Sequence, residues 1–374
     1  MIIVKKPKIR FKGFTETWEQ RKLNEICNYH SSSLTAKDSC TDGEYDLFDV
    51  NSLIGKTSSS CIDENYITII KDGAGVGRTR LLPKNTMFLG TMGALTPKGI
   101  DLNFLFQIVS KAELGRFCTG STIPHIYFRD YGENLFFVPS NREQKPIGDY
   151  FSKLDNLITL HQRQCENLKK LKKFMLQKLF PQNGENVPEI RFSNFTDTWE
   201  QRKLGSICKI TMGQSPNGST YSETPCDYIL VQGNADLKDG WVVPRIWTSQ
   251  ITKTAKSGDL IMSVRAPAGA IGKTAYDVVI GRGVASINGN EFIYQTLKKY
   301  EIEGYWRKIA TGSTFKSINS EDINDTILFV PIDDSEQKQI GSLFSKLDNL
   351  ITLHQSKCDK LIEVKKYMLQ NMFI

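Results

Sequence analysis

The chain has 374 residues, 40% of them apolar and 24% charged, with a formal net charge of +7. That is the balance of a soluble protein of two or three domains, and no segment approaches the ~20 consecutive apolar residues of a membrane-spanning helix. The mild positive charge permits a polyanionic partner without requiring one. The opening run Met1-Ile-Ile-Val-Lys-Lys-Pro7 is too short for a signal peptide and leads us to expect a cytoplasmic location. Eight cysteines, at 27, 40, 61, 118, 165, 208, 226 and 358, include no Cys-x-x-Cys pair. Reduced thiols are therefore expected rather than a disulfide framework or a zinc cage.

In chain order, Arg10–Leu23 is polar with an aromatic pair, Phe14 and Trp18, and is expected to pack at the mouth of a domain. Residues 28–140 carry β-strand and turn signals. Within them lie a glycine-dense loop, Asp72–Arg80, and a second loop, Thr119-Gly-Ser-Thr122. The apolar strand Leu135–Pro139 closes the region, and Ser140 or Asn141 is placed to cap the helix that follows. That helix is expected over residues 144–180. Pro181–Pro188 holds the Pro and Gly that stop it, giving a linker over 181–190. The order then repeats. Phe195–Leu204 matches Phe14–Leu23 at nine of ten positions, displaced by 181 residues. A glycine loop at Ala266–Lys273, Thr311-Gly-Ser-Thr314 and an apolar strand ending at Pro331 precede a second helix, expected over 337–374. The chain thus divides into a first domain (1–143), a helix (144–180), a linker (181–190), a second domain (191–336) and a second helix (337–374).

The helices carry the stronger repeat. Residues 151–162 and 344–355 are identical over twelve positions, displaced by 193. The second variable region is therefore twelve residues longer than the first. A period this long marks a duplicated half-molecule rather than a solenoid, which implies a pseudo-twofold arrangement within one chain. Phe151, Leu154, Ile158, His161, Cys165 and Leu168 advance in steps of three and four, as do Phe344, Leu347, Ile351, His354, Cys358 and Leu361. Leu171, Met175 and Leu179 extend the first series, and Val364, Met368 and Met372 the second. This is the seam of a coiled coil, and about 36 residues at ~1.5 Å each make a rod of roughly 54 Å. Two rods packed on each other are expected; the alternative is an amphipathic helix lying on its own domain. Lys169, Lys170, Lys172, Lys173, Lys365 and Lys366 read as the solvated face.

Signatures of catalysis are missing. The sequence has no Gly-x-x-x-x-Gly-Lys-Ser/Thr loop for a nucleotide triphosphate and no Asn-Pro-Pro-aromatic motif of adenine methyltransferases. Gly73, Gly75 and Gly77 imitate a dinucleotide fingerprint, but Arg78 follows where that pattern differs and no βαβ unit surrounds it. His161 with Cys165, and His354 with Cys358, have a spacing that could ligate a metal; polar seam residues that fix helix register are the better account, and no metal is expected. Basic and small residues recur in matching loops of both halves; each alone reads as a solvated surface charge, and it is the recurrence that marks the group as a candidate nucleic-acid surface. Arg78, Arg80, Ser121, Thr122, His125, Tyr127 and Arg129 form the first set. Arg265, Lys273, Arg282, Ser313, Thr314 and Lys316 form the second. Hydroxyls and amides suit phosphates, and Arg and His suit base edges.

Two divergent domains, two near-identical helices, and the motifs Trp-Glu-Gln-Arg-Lys-Leu and Phe-Ser-Lys-Leu-Asp-Asn-Leu-Ile resemble the specificity (S) subunit of type I restriction-modification enzymes, over essentially the whole chain. The resemblance implies an α+β architecture of two β-rich target recognition domains joined by an antiparallel coiled-coil spacer. It implies a non-catalytic subunit that reads a bipartite, asymmetric site in double-stranded DNA. Two modification (M) subunits would dock on the spacer and methylate adenine with S-adenosylmethionine. Restriction (R) subunits would add translocation and cleavage driven by ATP and Mg2+. No cofactor is expected in this chain. Two other classes remain at this point: a stand-alone methyltransferase or nuclease, and an adaptor with no DNA role.

Overall fold

A computed structural model describes residues 6–59, 61–120, 122–182, 185–310 and 317–374. The fold is mixed α+β and falls into two compact units, Met1–Arg163 with Gln355–Ile374, and Gln164–His354. This division cuts across the linear one expected from the repeats. Each long helix gives its first part to one unit and its second part to the other, because antiparallel pairing sets the start of one helix beside the end of the other.

In the first unit an antiparallel sheet runs in the order Cys27–Ser31, Met92–Pro97, Tyr66–Ile70, Thr79–Leu82. A smaller sheet, Leu53–Thr57, Tyr45–Phe48, Thr86–Phe88, includes one parallel pairing, Asp46 opposite Thr86. The strand Tyr66–Ile70 is buried at every position. Successive side chains of a strand face opposite ways, so Ile67 and Ile69 enter the core shared with the helices, while Tyr66 and Ile70 enter a second core with Leu82 and Phe88. Helix α1 (Leu102–Lys111) covers the first core, and Asp101 caps it by accepting from the Phe104 amide at 2.9 Å.

The second unit repeats that sheet order with Lys209–Met212, Val284–Asn288, Leu260–Ser263 and Ile271–Lys273, then extends it with Trp241–Val242 and Leu237–Lys238. A five-stranded sheet replaces the three-stranded one and keeps its parallel pairing, now Ile229 opposite Val278. The added strands lie in the half whose variable region is longer. In both units the polar strand after the tryptophan, Glu19–Lys22 or Glu200–Lys203, pairs antiparallel with the closing strand Leu135–Val138 or Ile327–Val330.

The long helices are α2 (Asn141–Lys178) and α4 (Asp334–Met372); α3 (Glu291–Ile302) is the second unit's counterpart of α1. At ~1.5 Å per residue, α2 is about 57 Å long. Each long helix starts three residues earlier than expected and ends two earlier. The Ser140 carbonyl accepts from Glu143 and Gln144, which closes the first turn of α2. Pro146 stands in the second turn, where its missing amide leaves one gap in the helical ladder. In the first unit Phe151 lies 5.5 Å from Phe373, and Lys365 Nζ sits 2.6 Å from Asp155. In the second, Phe180 lies 5.9 Å from Phe344, and Lys172 Nζ sits 2.7 Å from Asp348. Partner numbers fall as helix numbers rise, so the pairing is antiparallel in each unit.

The seam differs from expectation in its second half. Phe151, Leu154, Cys165, Phe344, Leu347 and Cys358 are buried, and Ile158, His161, Leu168, Ile351, His354 and Leu361 are half-buried. Leu171 and Val364 are 41% and 43% exposed. Lys172 and Lys365, expected on the solvated face, occupy the seam with side chains 16% and 23% exposed. A straight helix turns every 3.6 residues, so a 3.5-residue stripe drifts around it and the buried positions move on by an extra step of four. The helices also lie on their own domains. Phe151 and Leu154 belong to the core of the first sheet, Phe344 and Leu347 to that of the second.

Each unit has an aromatic joint of the same make-up. Trp18, Phe104, Phe151 and Phe373 cluster with centroids 5.5–6.3 Å apart, and Trp199, Phe292, Phe344 and Phe180 do so at 5.5–6.1 Å. Arg10 makes a two-pronged ion pair with Glu143 at 2.6 and 2.7 Å, and Arg191 one with Glu336 at 2.7 and 2.8 Å. Gly148 and Gly341 admit the close approach of α1 and α3: a Cβ on Gly148 would lie 2.8 Å from the Phe104 amide, and one on Gly341 3.0 Å from Glu291 Cβ.

Candidate nucleic-acid interface

In the first unit three loops converge. The Gly73 amide donates to the Pro124 carbonyl at 2.9 Å and the Ile126 amide to the Lys71 carbonyl at 2.9 Å, which joins the glycine loop to the segment after Thr119-Gly-Ser-Thr122. His125 Nδ1 and Asp72 pair across that junction. The third loop, at 49–52, is built on Asp49, whose Oδ1 accepts from the amides of Asn51 at 2.7 Å and Ser52 at 2.6 Å. Those bonds, that of Ser52 foremost, hold the Asp49 carboxyl below its ordinary pKa. Arg78 Nη2 donates to Asn51 Oδ1 at 3.0 Å, Arg80 Nη1 donates to the Asn51 carbonyl at 3.2 Å, and the Arg80 guanidinium lies 5.1 Å from the Phe48 centroid. The close contact of Gly77 with the 114–115 backbone requires a glycine, since a Cβ there would meet the Gly115 nitrogen at 2.5 Å.

The segment after this junction forms a ledge. The His125 ring lies 4.0 Å from the Tyr127 ring, and the Arg129 guanidinium stands 4.6 Å over the other side chain's ring centroid. Tyr127 is 44% exposed. The two rings are tilted by 53° to each other, and exposed aromatic and guanidinium planes suit the faces and edges of bases. Arg78, Arg80, His125, Tyr127 and Arg129, read from sequence as one set, therefore sit on segments tied to one another, with Arg80 on the strand Thr79–Leu82 and Arg129 on a helical turn, Phe128–Tyr131, rather than on loops. Thr122 is exposed. Ser121 lies outside the described residues. Asn51 and Asp72, which hold three of these side chains, were not singled out as site residues from the sequence; the turn signal of Asp49-Val-Asn-Ser52 points to Asn51, and Asp72 opens the glycine-dense loop Asp72–Arg80.

The second unit uses the same junction. Arg265 bridges Ser317 as Asp72 bridges His125, and the Ile318 amide donates to the Val264 carbonyl at 2.9 Å. Arg265 is exposed. Ser313, Thr314 and Lys316 lie outside the described residues. Arg282 is exposed on a neighbouring loop, where its amide donates to Ser215 Oγ at 3.1 Å. Lys273 departs from expectation. Its ammonium is 2.9 Å from Glu291 and lies 5.0 and 4.6 Å from the Trp241 and Tyr294 centroids. With 16% of its side chain exposed, it holds a strand to α3 rather than projecting from a loop. Among the described residues no group of three or more His, Cys, Asp or Glu is arranged to hold a metal, and no helix is long and apolar enough to cross a membrane.

Known proteins share this organisation. The family model for the type I restriction modification DNA specificity domain matches residues 15–170 and again 196–363. A Methanocaldococcus jannaschii chain, named as the specificity subunit of the type I restriction enzyme MjaX, is 30% identical over 94% of this chain and 91% of its own length. The MjaVIII specificity subunit of the same organism is 23% identical over 82% of this chain and 77% of its own. In fold, the chain is similar to the crystal structure of a type I restriction-modification S subunit from M. genitalium, with a TM-score of 0.76 at 17% identity, covering 99% of both chains.

Proposed function

The chain belongs to the type I restriction modification DNA specificity family, and from that premise we propose that each of its two domains reads one half of a bipartite, asymmetric site in double-stranded DNA. The observation that carries this reading is the pairing of a repeated frame with unlike loops. Sheet order, aromatic joint and loop junction recur, while the side chains at the junction are Asp72, His125, Tyr127 and Arg129 in one unit and Arg265 with Ser317 in the other. Readers that differ this much select different bases, so the two half-sites differ. Arg78, Arg80, Thr122, His125, Tyr127 and Arg129 contact the first, and Arg265 and Arg282 the second.

The helices offer docking positions for two copies of one partner, the modification subunit. Leu157 and Leu160 of α2 are 43% and 48% exposed, and Leu350 and Leu353, 193 residues later, are 43% and 47% exposed. Equal apolar positions on equal helices suit equal partners. S-adenosylmethionine would be held by the modification subunits, and ATP and Mg2+ by restriction subunits, leaving this chain as the non-catalytic cytoplasmic component that chooses the sequence. The test is reconstitution with modification subunits and S-adenosylmethionine, followed by mapping of methylated adenines. A two-part consensus that depends on this chain is expected. Methylation without such a consensus, or without need of this chain, would overturn the reading.

A further inference from the structure

Inside each unit, one buried glutamine at the middle of the domain helix reaches the charged pair that links the two long helices. In the first unit Gln107 of α1 donates Nε2 to Asp155 Oδ2 at 3.3 Å, and Asp155 Oδ1 accepts Lys365 Nζ at 2.6 Å. In the second, Gln295 Nε2 of α3 donates to Asp348 Oδ2 at 2.9 Å and to Glu291 Oε1 of its own helix at 2.9 Å, and Asp348 Oδ1 accepts Lys172 Nζ at 2.7 Å. The aspartates are one repeat apart, as are the lysines. Around them α1 and α3 have diverged: aligned on Phe104 and Phe292, residues 103–111 and 291–299 agree at the phenylalanine, the glutamine and a terminal lysine.

Neither glutamine is where stability alone would put it. Gln107 is 1% exposed and Gln295 0%, and Oε1 of each is buried without a hydrogen-bond partner. An unsatisfied buried amide oxygen is destabilising, and an apolar side chain of equal size would avoid that cost. The aromatic contacts of Phe104 and Phe292 one turn away are non-directional; at the N-terminal ends of α1 and α3, Gln144 Oε1 accepts from the Asp101 amide at 2.8 Å and Gln337 Oε1 from Asn290 Nδ2 at 3.1 Å, which pins one end of each domain helix and leaves its rotation about that end to the glutamine. The amide-to-carboxylate bond is directional, and it selects an aspartate already held by the opposite long helix.

We propose that Gln107 and Gln295 are positioning residues that fix the angle at which each recognition domain sits on the helix ends, and thereby restrict how many unread base pairs separate the half-sites. This rests on the bipartite reading above. Each base pair added to B-DNA moves a half-site by roughly 3.4 Å and turns it by roughly 34°, so a domain that rocks on its aromatic joint would accept a wrong spacing.

The experiment uses the chain assembled with modification subunits. The substrates are duplexes that carry the mapped half-sites at the native spacing and at one base pair more or less. Wild type is expected to methylate the native spacing preferentially. In Gln107→Met with Gln295→Met, methylation at the altered spacings relative to the native one should rise at least tenfold, with base preference inside each half-site unchanged. An unchanged spacing ratio in a variant that melts at or above the wild-type temperature would overturn the proposal. If the double variant does not assemble, Gln107→Leu and Gln295→Leu are measured singly, and an unchanged ratio in both overturns it equally. Wild-type methylation indifferent to spacing would instead sink the bipartite reading itself.

Discussion

Replacing Arg191 by Met would strand a carboxylate. Glu336 is 1% exposed and accepts both prongs of the guanidinium at 2.7 and 2.8 Å. The Glu336 hydrogen bond raises the Arg191 pKa, with burial working against it, so the arginine gains more from its partner than it loses to desolvation. Arg191→Met keeps most of the apolar stem but leaves the buried charge unpaired, which costs about 3–5 kcal/mol. For 150–250 residues, each kcal/mol moves the melting temperature by roughly 2–4 °C, giving a fall of roughly 6–20 °C. The double variant Arg191→Met, Glu336→Met removes both charges and should recover most of that loss, because an apolar pair of similar volume is often as stable as a buried ion pair. Thermal unfolding followed by circular dichroism reads both. Arg10→Met, with Glu143 also 1% exposed, is the replicate in the first unit. A single variant that melts like wild type, or a double variant no better than the single, would refute the argument that burial of the carboxylate sets the cost.

Leu154→Asp or Leu347→Asp places a carboxylate at a residue only 7% exposed; either should destabilise its unit by several kcal/mol and impair assembly with modification subunits, read by melting and by size-exclusion chromatography. Arg265→Ala should weaken the second half-site alone by ~1–3 kcal/mol, seen in methylation of single-base variants of that half-site; a uniform loss over all sequences would make it a phosphate contact. Lys273→Ala should lower the melting temperature by removing the Glu291 pair and the Trp241 contact, while leaving base preference in both half-sites unaltered; a changed preference would return Lys273 to the DNA-facing set.

The duplication, the two long helices and the glycine loops were legible because each is a local or repeating pattern. Identity between residues 151–162 and 344–355 needs no coordinates, and a helix stripe follows from the fixed turn of the backbone. The order of the repeats did not show how the chain divides into compact units, since each long helix is split between the two. The tertiary structure decided who meets whom. Lys172 and Lys365 looked like surface charge, yet helical drift carried them into the seam against Asp348 and Asp155. Lys273 looked like a loop cation, yet α3 brought Glu291 beneath it. Asp72 and His125 are 53 residues apart and meet only because two loops share a backbone bridge. Periodicity states which face of an element is apolar; it carries no information about which distant side chain will satisfy a given charge, since that choice is made when separate segments are packed together.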